Sequence, residues 1–148
     1  MVLDFLPTDL LKLRREKKRI DNLDSKVGSA QCRVRVNQKL SDMYAYQIYD
    51  ALDYIHSMGI CHRDLKPSNL IVDDAKGLLK LADFGSAKIL KPDEVNLAYQ
   101  VTRYYRAPEL IFGSTSYTLT IDLWAAACIV SELFTGKILL SGRNSENQ

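Results

Sequence analysis

Three polar residues, Asp64, Asn69 and Asp83, have types and spacing that could carry chemistry. Asn69 precedes and Asp83 follows two short, largely apolar runs at residues 70–72 and 78–81, which are typical of strands. Turn-forming residues separate the two runs, so the segment is predicted to form a β-hairpin. The open end of that hairpin would carry Asn69 and Asp83.

The expected pairing of the hairpin brings these two oxygen-bearing side chains together. A turn centred on Lys76 pairs Ile71 with Leu81 in an antiparallel ladder. Beyond that pair, Asn69 lies near Asp83. Mg²⁺ favours a site of this kind, in which one or two protein oxygens bind the ion and water and substrate phosphates fill the other positions.

Asp64 lies five residues before Asn69 on the same loop. At that distance its carboxylate could orient a substrate hydroxyl and accept the proton of that hydroxyl. The alternative is that Asp64, Asn69 and Asp83 only cap turns, which is the common role of Asp and Asn in loops. Because three such residues occur in this order, the functional interpretation is favoured.

Length and composition indicate an ordinary globular domain or part of one. The chain has 148 residues, of which 47% are hydrophobic and 26% charged, with a net charge of +2. This balance gives no strong preference for nucleic acid or for a membrane surface. Three cysteines without metal-ligand spacing and no signal-like N-terminal segment lead us to expect an intracellular, reducing location, in the cytoplasm with the nucleus as a further candidate.

Two helices are predicted from apolar residues that recur at helical spacing. The first is expected to start at Ser41 or Asp42, to end at Gly59 and to lead directly into the loop of the candidate base. Its apolar stripe comprises Leu40, Tyr44, Ile48, Ala51, Leu52 and Ile55. The second helix is expected at 120–136 as a buried element. Its apolar stripe comprises Leu123, Ala126, Ala127, Val130, Leu133 and Phe134.

The remaining segments are expected to be a shorter helix and two loops. The helix runs from Leu10 toward Arg19, with Thr8 or Asp9 as its cap. Its basic residues favour a solvated helix face over a phosphosubstrate or nucleic-acid patch, and they are Lys12, Arg14, Arg15, Lys17, Lys18 and Arg19. Residues 20–36 lack periodicity and are predicted to form a long flexible loop. Residues 86–118 are predicted to form a long ordered loop, which tends to be functional.

Several motifs resemble the catalytic signature of protein kinases. The three signature motifs are HRDLKPSN at 62–69, DFG at 83–85 and APE at 107–109. Lys66, two residues after Asp64, resembles the pattern of serine/threonine kinases. Three longer segments resemble the shaggy or glycogen synthase kinase-3 family most closely, and they are ICHRD at 60–64, DFGSAK at 83–88 and RYYRAPELIFG at 103–113.

This resemblance implies catalytic and metal-binding roles for the residues that could carry chemistry. Asp64 matches the catalytic base, and Lys66 matches the lysine that contacts the transferred phosphate. Asn69 and Asp83 match the ligands of Mg²⁺. Asp122 matches a buried aspartate that accepts hydrogen bonds from the backbone of the catalytic loop.

The resemblance also implies that ATP is the phosphate donor. Asp4 and Leu6 match hinge residues whose backbone groups contact the adenine. Ile71 matches an apolar side chain that lies beneath the adenine ring.

Two further roles concern phosphorylation of the protein and of its substrates. Tyr99 matches an activation-loop tyrosine that the family autophosphorylates. Arg63 and Lys88 match two of three basic residues that bind a phosphate already present on the substrate, a contact strengthened by charge. The alternatives are that Tyr99 is a packing aromatic and that Lys88 is a solvated charge.

The implied fold class is α+β and mainly helical, corresponding to the C-terminal lobe of a protein kinase from the hinge to the large buried helix. Residues 1–148 would form a partial catalytic domain, because the signature's Gly-rich loop, strand lysine and helix glutamate do not occur in this sequence. We therefore expect a truncated chain without the N-terminal lobe and with the scaffold-docking region largely absent. Ala82, Ser68 and Ala127 stand where the family or kinases in general usually have cysteine, glutamine and glycine.

The function implied by the resemblance is an ATP-dependent serine/threonine protein kinase in signal transduction, which transfers the γ-phosphate of ATP to proteins. The expected partners are protein substrates, including those already phosphorylated, and neither nucleic acid nor membrane. Phosphoryl transfer depends on positioning and electrostatic stabilisation by groups that these 148 residues lack, so this chain alone is expected to be inactive. The alternative is a catalytically inactive kinase-like fragment that acts by binding.

Overall fold

A computed structural model describes residues 6–16, 30–91, 94–97, 102–144 and 147, with side chains from residue 38 onward in the second helix. Asp4, Tyr99 and most of the predicted loop at 20–36 lie outside the described residues. The arrangement is α+β and mainly helical, as expected. Within the described ranges, no helix is both long enough and apolar enough to cross a membrane.

The described chain begins with strand β1 (Thr8–Asp9) and helix α1 (residues 10–16). The backbone N–H of Lys12 donates to Asp9 Oδ1 at 2.9 Å, which satisfies one of the free amides at the helix start. The predicted cap at Asp9 is therefore confirmed. The expected continuation through residues 17–19 lies outside the described part.

Helix α2 spans Ala30–Ser57 and begins eleven residues before the predicted start at Ser41. The prediction of a flexible loop is thus wrong for residues 30–36. Those residues include neither Gly nor Pro, so nothing in them stops the helix, although they lack an apolar stripe. The predicted end is confirmed, because Gly59 has φ +73° and its N–H donates to His56 O at 2.9 Å.

The predicted core face of α2 is also confirmed. Tyr44, Ile48, Leu52 and Ile55 are buried, and Leu40 and Ala51 are half-buried. This face packs against strand β4 (Leu78–Leu81) and against the last long helix of the chain.

The hairpin consists of β3 (Leu70–Asp73) and β4, but its pairing differs from the prediction by one residue. Leu70 lies opposite Leu81, so the predicted pairing of Ile71 with Leu81 is wrong. The reason is that the turn has four residues, 74–77, and its centre therefore falls between residues rather than on Lys76. Strand β1 pairs with the other edge of β3 and completes a three-stranded sheet in the order β1-β3-β4.

A second, two-stranded sheet ties the candidate catalytic loop to the segment that follows the hairpin. Strand β2 (Ile60–Cys61) pairs antiparallel with β5 (Lys88–Ile89). Short elements therefore interrupt the predicted loop at 86–118, which also contains a 3₁₀ turn at Arg103–Tyr105 and helix α3 at Pro108–Ile111.

Helix α4 (Thr120–Thr135) has the predicted bounds but not the predicted core face. Gly136 ends it with φ +69°, and the Gly136 N–H donates to Glu132 O at 3.0 Å. Of the predicted stripe only Ala126 is buried, whereas Leu123 and Phe134 are 41% and 47% exposed. The buried residues are Ile121, Asp122, Ala125, Ala126, Cys128, Ile129 and Glu132. The prediction is wrong because the helix is apolar on nearly every side and because two acidic residues lie on the true core face.

We expect the truncation Ile129→Ala to destabilise the fold far more than Leu123→Ala on the same helix. Ile129 is 0% exposed, so its truncation should lower the free energy of unfolding by about 2–4 kcal/mol. Leu123 is 41% exposed, so its truncation should cost under about 1 kcal/mol. Urea unfolding of the two variants measures the difference. A loss for Leu123→Ala as large as that for Ile129→Ala would contradict the observed core face.

Candidate active site

The candidate site is built on the carboxylate of Asp122, which is 1% exposed near the start of α4. The backbone N–H of His62 donates to Asp122 Oδ2 at 2.7 Å, and that of Arg63 donates to Oδ1 at 3.0 Å. The ring Nε2 of His56, in the last turn of α2, lies 3.0 Å from Oδ2. One side chain therefore joins α4, α2 and the loop after β2.

These contacts determine the direction in which the pKa of Asp122 is shifted. Burial alone would raise the pKa of its carboxyl group, but hydrogen bonds from His56 and from the backbone of His62 and Arg63 outweigh burial and lower that pKa. Burial raises the pKa of the neighbouring Cys61 thiol, which therefore stays protonated.

The loop after β2 is constrained in its backbone conformation and by the contacts of its side chains. Arg63 has φ +64°, a conformation that residues other than glycine rarely adopt. Its side chain crosses to the segment after the hairpin, where Nε donates to Ser86 O at 2.6 Å and Nη1 donates to Tyr117 Oη at 3.3 Å. The ring of His62 contacts Phe84 edge to face, with the ring centroids 5.1 Å apart. The HRD and DFG motifs therefore lie side by side.

Asp64 is held by groups on both of its carboxylate oxygens. Lys66 Nζ lies 2.5 Å from Oδ2, and the hydroxyl of Thr102 donates to Oδ1 at 3.0 Å. The amide Nδ2 of Asn69 donates to the backbone oxygen of Asp64 at 2.9 Å. Three of the sequence-predicted residues, Asp64, Lys66 and Asn69, are therefore brought together.

Asp83 lies close to this group through the backbone rather than through its side chain. Because of the shifted hairpin register, Ala82 rather than Asp83 faces Asn69, and the Ala82 N–H donates to Asn69 O at 2.9 Å. Asp83 itself is exposed, has φ +63° and accepts a hydrogen bond from Gly85 N–H at 3.3 Å. Among the described residues, no hydrogen bond joins the Asp83 side chain to Asn69 or Asp64.

The donor set suits a hard cation with few protein ligands. In the described part of the chain, no group of three or more His, Cys, Asp or Glu side chains could hold a metal ion. Asn69 and Asp83, the residues predicted to bind Mg²⁺, would contribute one amide and one carboxylate, a set that Mg²⁺ accepts when phosphate oxygens and water complete its shell.

Of the two described residues predicted to contact adenine, one lies on β3 and the other lies just before β1. Ile71, half-buried on β3, pairs with Asp9 of β1, and Leu6, also half-buried, precedes β1 by two residues.

The ammonium group of Lys88 contacts two other side chains and not only solvent. Its Nζ lies 2.8 Å from Glu94 Oε1 and 2.7 Å from Asn96 Oδ1. The β2–β5 pairing places Lys88 opposite Cys61, two residues before Arg63 along the chain.

Two contacts were not predicted from the sequence, that of Thr102 with Asp64 and that of Arg14 with Glu132. No local pattern distinguishes Thr102 from any other loop threonine. Arg14 was predicted to be solvated, but it forms an ion pair with the buried Glu132. The available signal was Glu132 itself, an acidic residue in the middle of an apolar helix, which requires a partner when it is buried.

With the geometry established, comparison with known proteins identifies the family. A family model described as protein kinase domain matches residues 10–148, so the chain belongs to the protein kinase domain family. It is 46% identical to Protein kinase gsk31 of Schizosaccharomyces pombe over 100% of this chain and 36% of that protein. It is 56% identical to Glycogen synthase kinase 1 of Pyricularia oryzae over 72% of this chain and 27% of that protein.

A third relative, Protein kinase gsk3 of Schizosaccharomyces pombe, is 51% identical over 78% of this chain and 32% of that protein. These similarities confirm the predicted resemblance to the glycogen synthase kinase-3 family. The chain spans about a third of the length of the curated relatives that it matches.

We expect Asp122→Asn to destabilise the protein strongly near neutral pH. An amide in place of the carboxylate removes a buried acceptor and turns donors toward backbone N–H groups, at a cost of about 3 kcal/mol. Because the folded-state pKa of Asp122 lies below its usual value of 3.8, its contribution is present above that pH and is lost as the pH falls through the folded-state value.

Urea unfolding between pH 7 and pH 2 measures this contribution, with the exposed Asp50→Asn as the matched control. The stability gap between the native sequence and Asp122→Asn should narrow at the acid end. A gap that stays constant with pH would contradict the assignment.

Proposed function

We propose that this chain is part of an ATP-dependent serine/threonine protein kinase of the glycogen synthase kinase-3 type. The observation that carries the proposal is the arrangement of Asp64, whose two carboxylate oxygens are held by Lys66 and Thr102 while Asn69 fixes its backbone. The family membership and the kinase relatives support the same activity. In this proposal, residues 1–148 form part of the C-terminal lobe of the catalytic domain.

The proposed chemistry is general-base assistance of phosphate transfer. Asp64 accepts a hydrogen bond from the hydroxyl of a substrate serine or threonine, orients that hydroxyl and takes its proton as the phosphate is transferred. Lys66, 2.5 Å from Asp64, supplies a positive charge to the transferred phosphate. Thr102 keeps the carboxylate in one orientation.

Asn69 and Asp83 are the proposed ligands of Mg²⁺, which supplies positive charge against the phosphates of ATP when it is bound. The adenine is proposed to contact the backbone of Asp4 and Leu6 and the side chain of Ile71. Leu6, two residues before β1, and Ile71, on the adjacent β3, are both half-buried, which is consistent with an apolar surface for a flat ring.

We further propose that substrates already phosphorylated near the target residue are preferred. Arg63 and Lys88 are the candidate phosphate ligands, and the phosphate would displace Glu94 from the ammonium of Lys88. A phosphate group on Tyr99 is proposed as a second anion, besides the phosphate of the substrate, that basic side chains of this protein bind. The buried Nε of Arg103, which has no hydrogen-bond partner among the described residues, offers a donor close to it in the sequence.

The test is phosphate transfer by the full-length protein to one serine peptide in two forms, unmodified and already phosphorylated. Asp64→Asn should reduce kcat by at least about 100-fold on both forms, because the base is removed while the fold is kept. The exposed Asp53→Asn is the matched control and should be neutral. Full activity of Asp64→Asn would contradict the assigned base.

Lys88→Ala in the same assay separates the phosphate pocket from the catalytic centre. It should remove the advantage of the phosphorylated peptide and leave the rate on the unmodified peptide nearly unchanged. Equal use of the two peptides by the native protein would end the proposal about substrates, while binding of both peptides without any transfer would favour a non-catalytic kinase-like protein.

A further inference from the structure

A cavity of about 400 Å³ opens directly beside the candidate catalytic carboxylate. Its walls come from α1, from the loop after Asp64, from the 3₁₀ turn at Arg103–Tyr105 and from α4. Lys66 and Thr102 both line it, and these are the two residues that bind the oxygens of Asp64. The cavity is therefore one residue contact away from the carboxylate of Asp64.

The charge of the cavity wall is set by a buried carboxylate. Glu132 lines the cavity and is 2% exposed. Arg14 forms an ion pair with its Oε1, and the hydroxyl of Tyr105 donates to its Oε2 at 2.8 Å. Both oxygens of Glu132 are thus occupied by groups of the protein.

Arg14 is fixed in this position by a second contact. Its Nη2 donates to the backbone oxygen of Gly136, just past the end of α4, at 2.6 Å. Without Arg14, the Tyr105 hydroxyl would be the one partner of this buried anion among the described residues, and such a group attracts a cation from any ligand. The other charged groups of the lining are Arg15 and Lys66, which are basic.

We propose that this cavity receives side chains of the substrate polypeptide next to the phosphoacceptor, and that Arg14 makes it select neutral or acidic side chains over basic ones. The inference rests on the proposed function, since it takes the ligand to be a protein substrate. Arg14 is a specificity-determining residue here because it neutralises Glu132. Apolar lining residues such as Leu11 and Tyr104 provide the contact surface for a neutral side chain.

The test measures binding of fluorescent peptides to the full-length protein by anisotropy, with alanine in place of the acceptor serine so that no transfer is needed. Matched peptides carry Arg, Ala or Glu at each of the three positions on either side of that alanine. The native protein should bind the Arg peptides more weakly than the Ala peptides. Arg peptides that bind as tightly as Ala peptides at every position would overturn the proposal, whatever the variants do.

The variant Arg14→Met keeps the length of the side chain but frees Glu132. It should shift the ratio of the dissociation constants about tenfold in favour of the Arg peptide at one or more positions, as expected for a new charge-assisted hydrogen bond. The double variant Arg14→Met with Glu132→Gln should lose that shift. An unchanged ratio in a folded Arg14→Met protein would overturn the proposal.

Lys12→Met is the matched control, because it removes a positive charge from the same helix at a side chain that is 70% exposed and does not line the cavity. Lys12→Met should leave the ratio of the dissociation constants unchanged. An equal shift in this variant would mean that net charge causes the effect, and it would overturn the proposal. Charge-selective binding without phosphate transfer would support the inference while the proposed kinase function failed. Phosphate transfer without charge-selective binding would support the kinase function and overturn the inference.

Discussion

The structure depends on one buried carboxylate. Asp122 is almost completely removed from water, and a charge in that position is tolerated only when hydrogen bonds replace its hydration. The replacements come from His56 and from the consecutive backbone amides of His62 and Arg63. Because both amides point at the same group, the loop has little freedom there. Arg63 retains a left-handed backbone conformation that costs on the order of 1–3 kcal/mol, and the position of Asp64 follows from it.

A second buried acid on the same helix fixes the other side of the site. Glu132 joins Tyr105 to α1 through Arg14, and Tyr105 lies three residues after Thr102, which binds Asp64. Helix α4 thus carries two buried anions, one under the candidate catalytic loop and one under the segment that faces it. These anions explain why an otherwise apolar helix contains acidic residues at positions that face the core.

The features that were predicted correctly from the sequence are those with local causes. The caps at Asp9 and Gly59, the core stripe of α2 and the bounds of α4 follow from short-range chemistry. The start of α2 was missed because its first residues lack an apolar stripe. Three further predictions failed because they depend on the whole fold. The hairpin register depended on whether the turn has an odd or even number of residues. The core face of α4 could not be identified in a helix that is apolar on most sides. Arg14 was predicted to be solvated because its partner, Glu132, is far away in the sequence.

In the candidate site, motif spacing grouped Asp64, Lys66 and Asn69 correctly, but no sequence pattern pointed to Thr102.

Amide hydrogen exchange at His62 and Arg63 tests the central claim most directly. If Asp122 accepts hydrogen bonds from both amides in the folded protein, they should exchange as slowly as core amides such as that of Ile129, through unfolding of the whole domain. They should exchange far more slowly than the amide of Val95 in the exposed loop. Exchange of His62 and Arg63 at the rate of Val95 would contradict the account, because the loop that carries Asp64 would then not be held by Asp122.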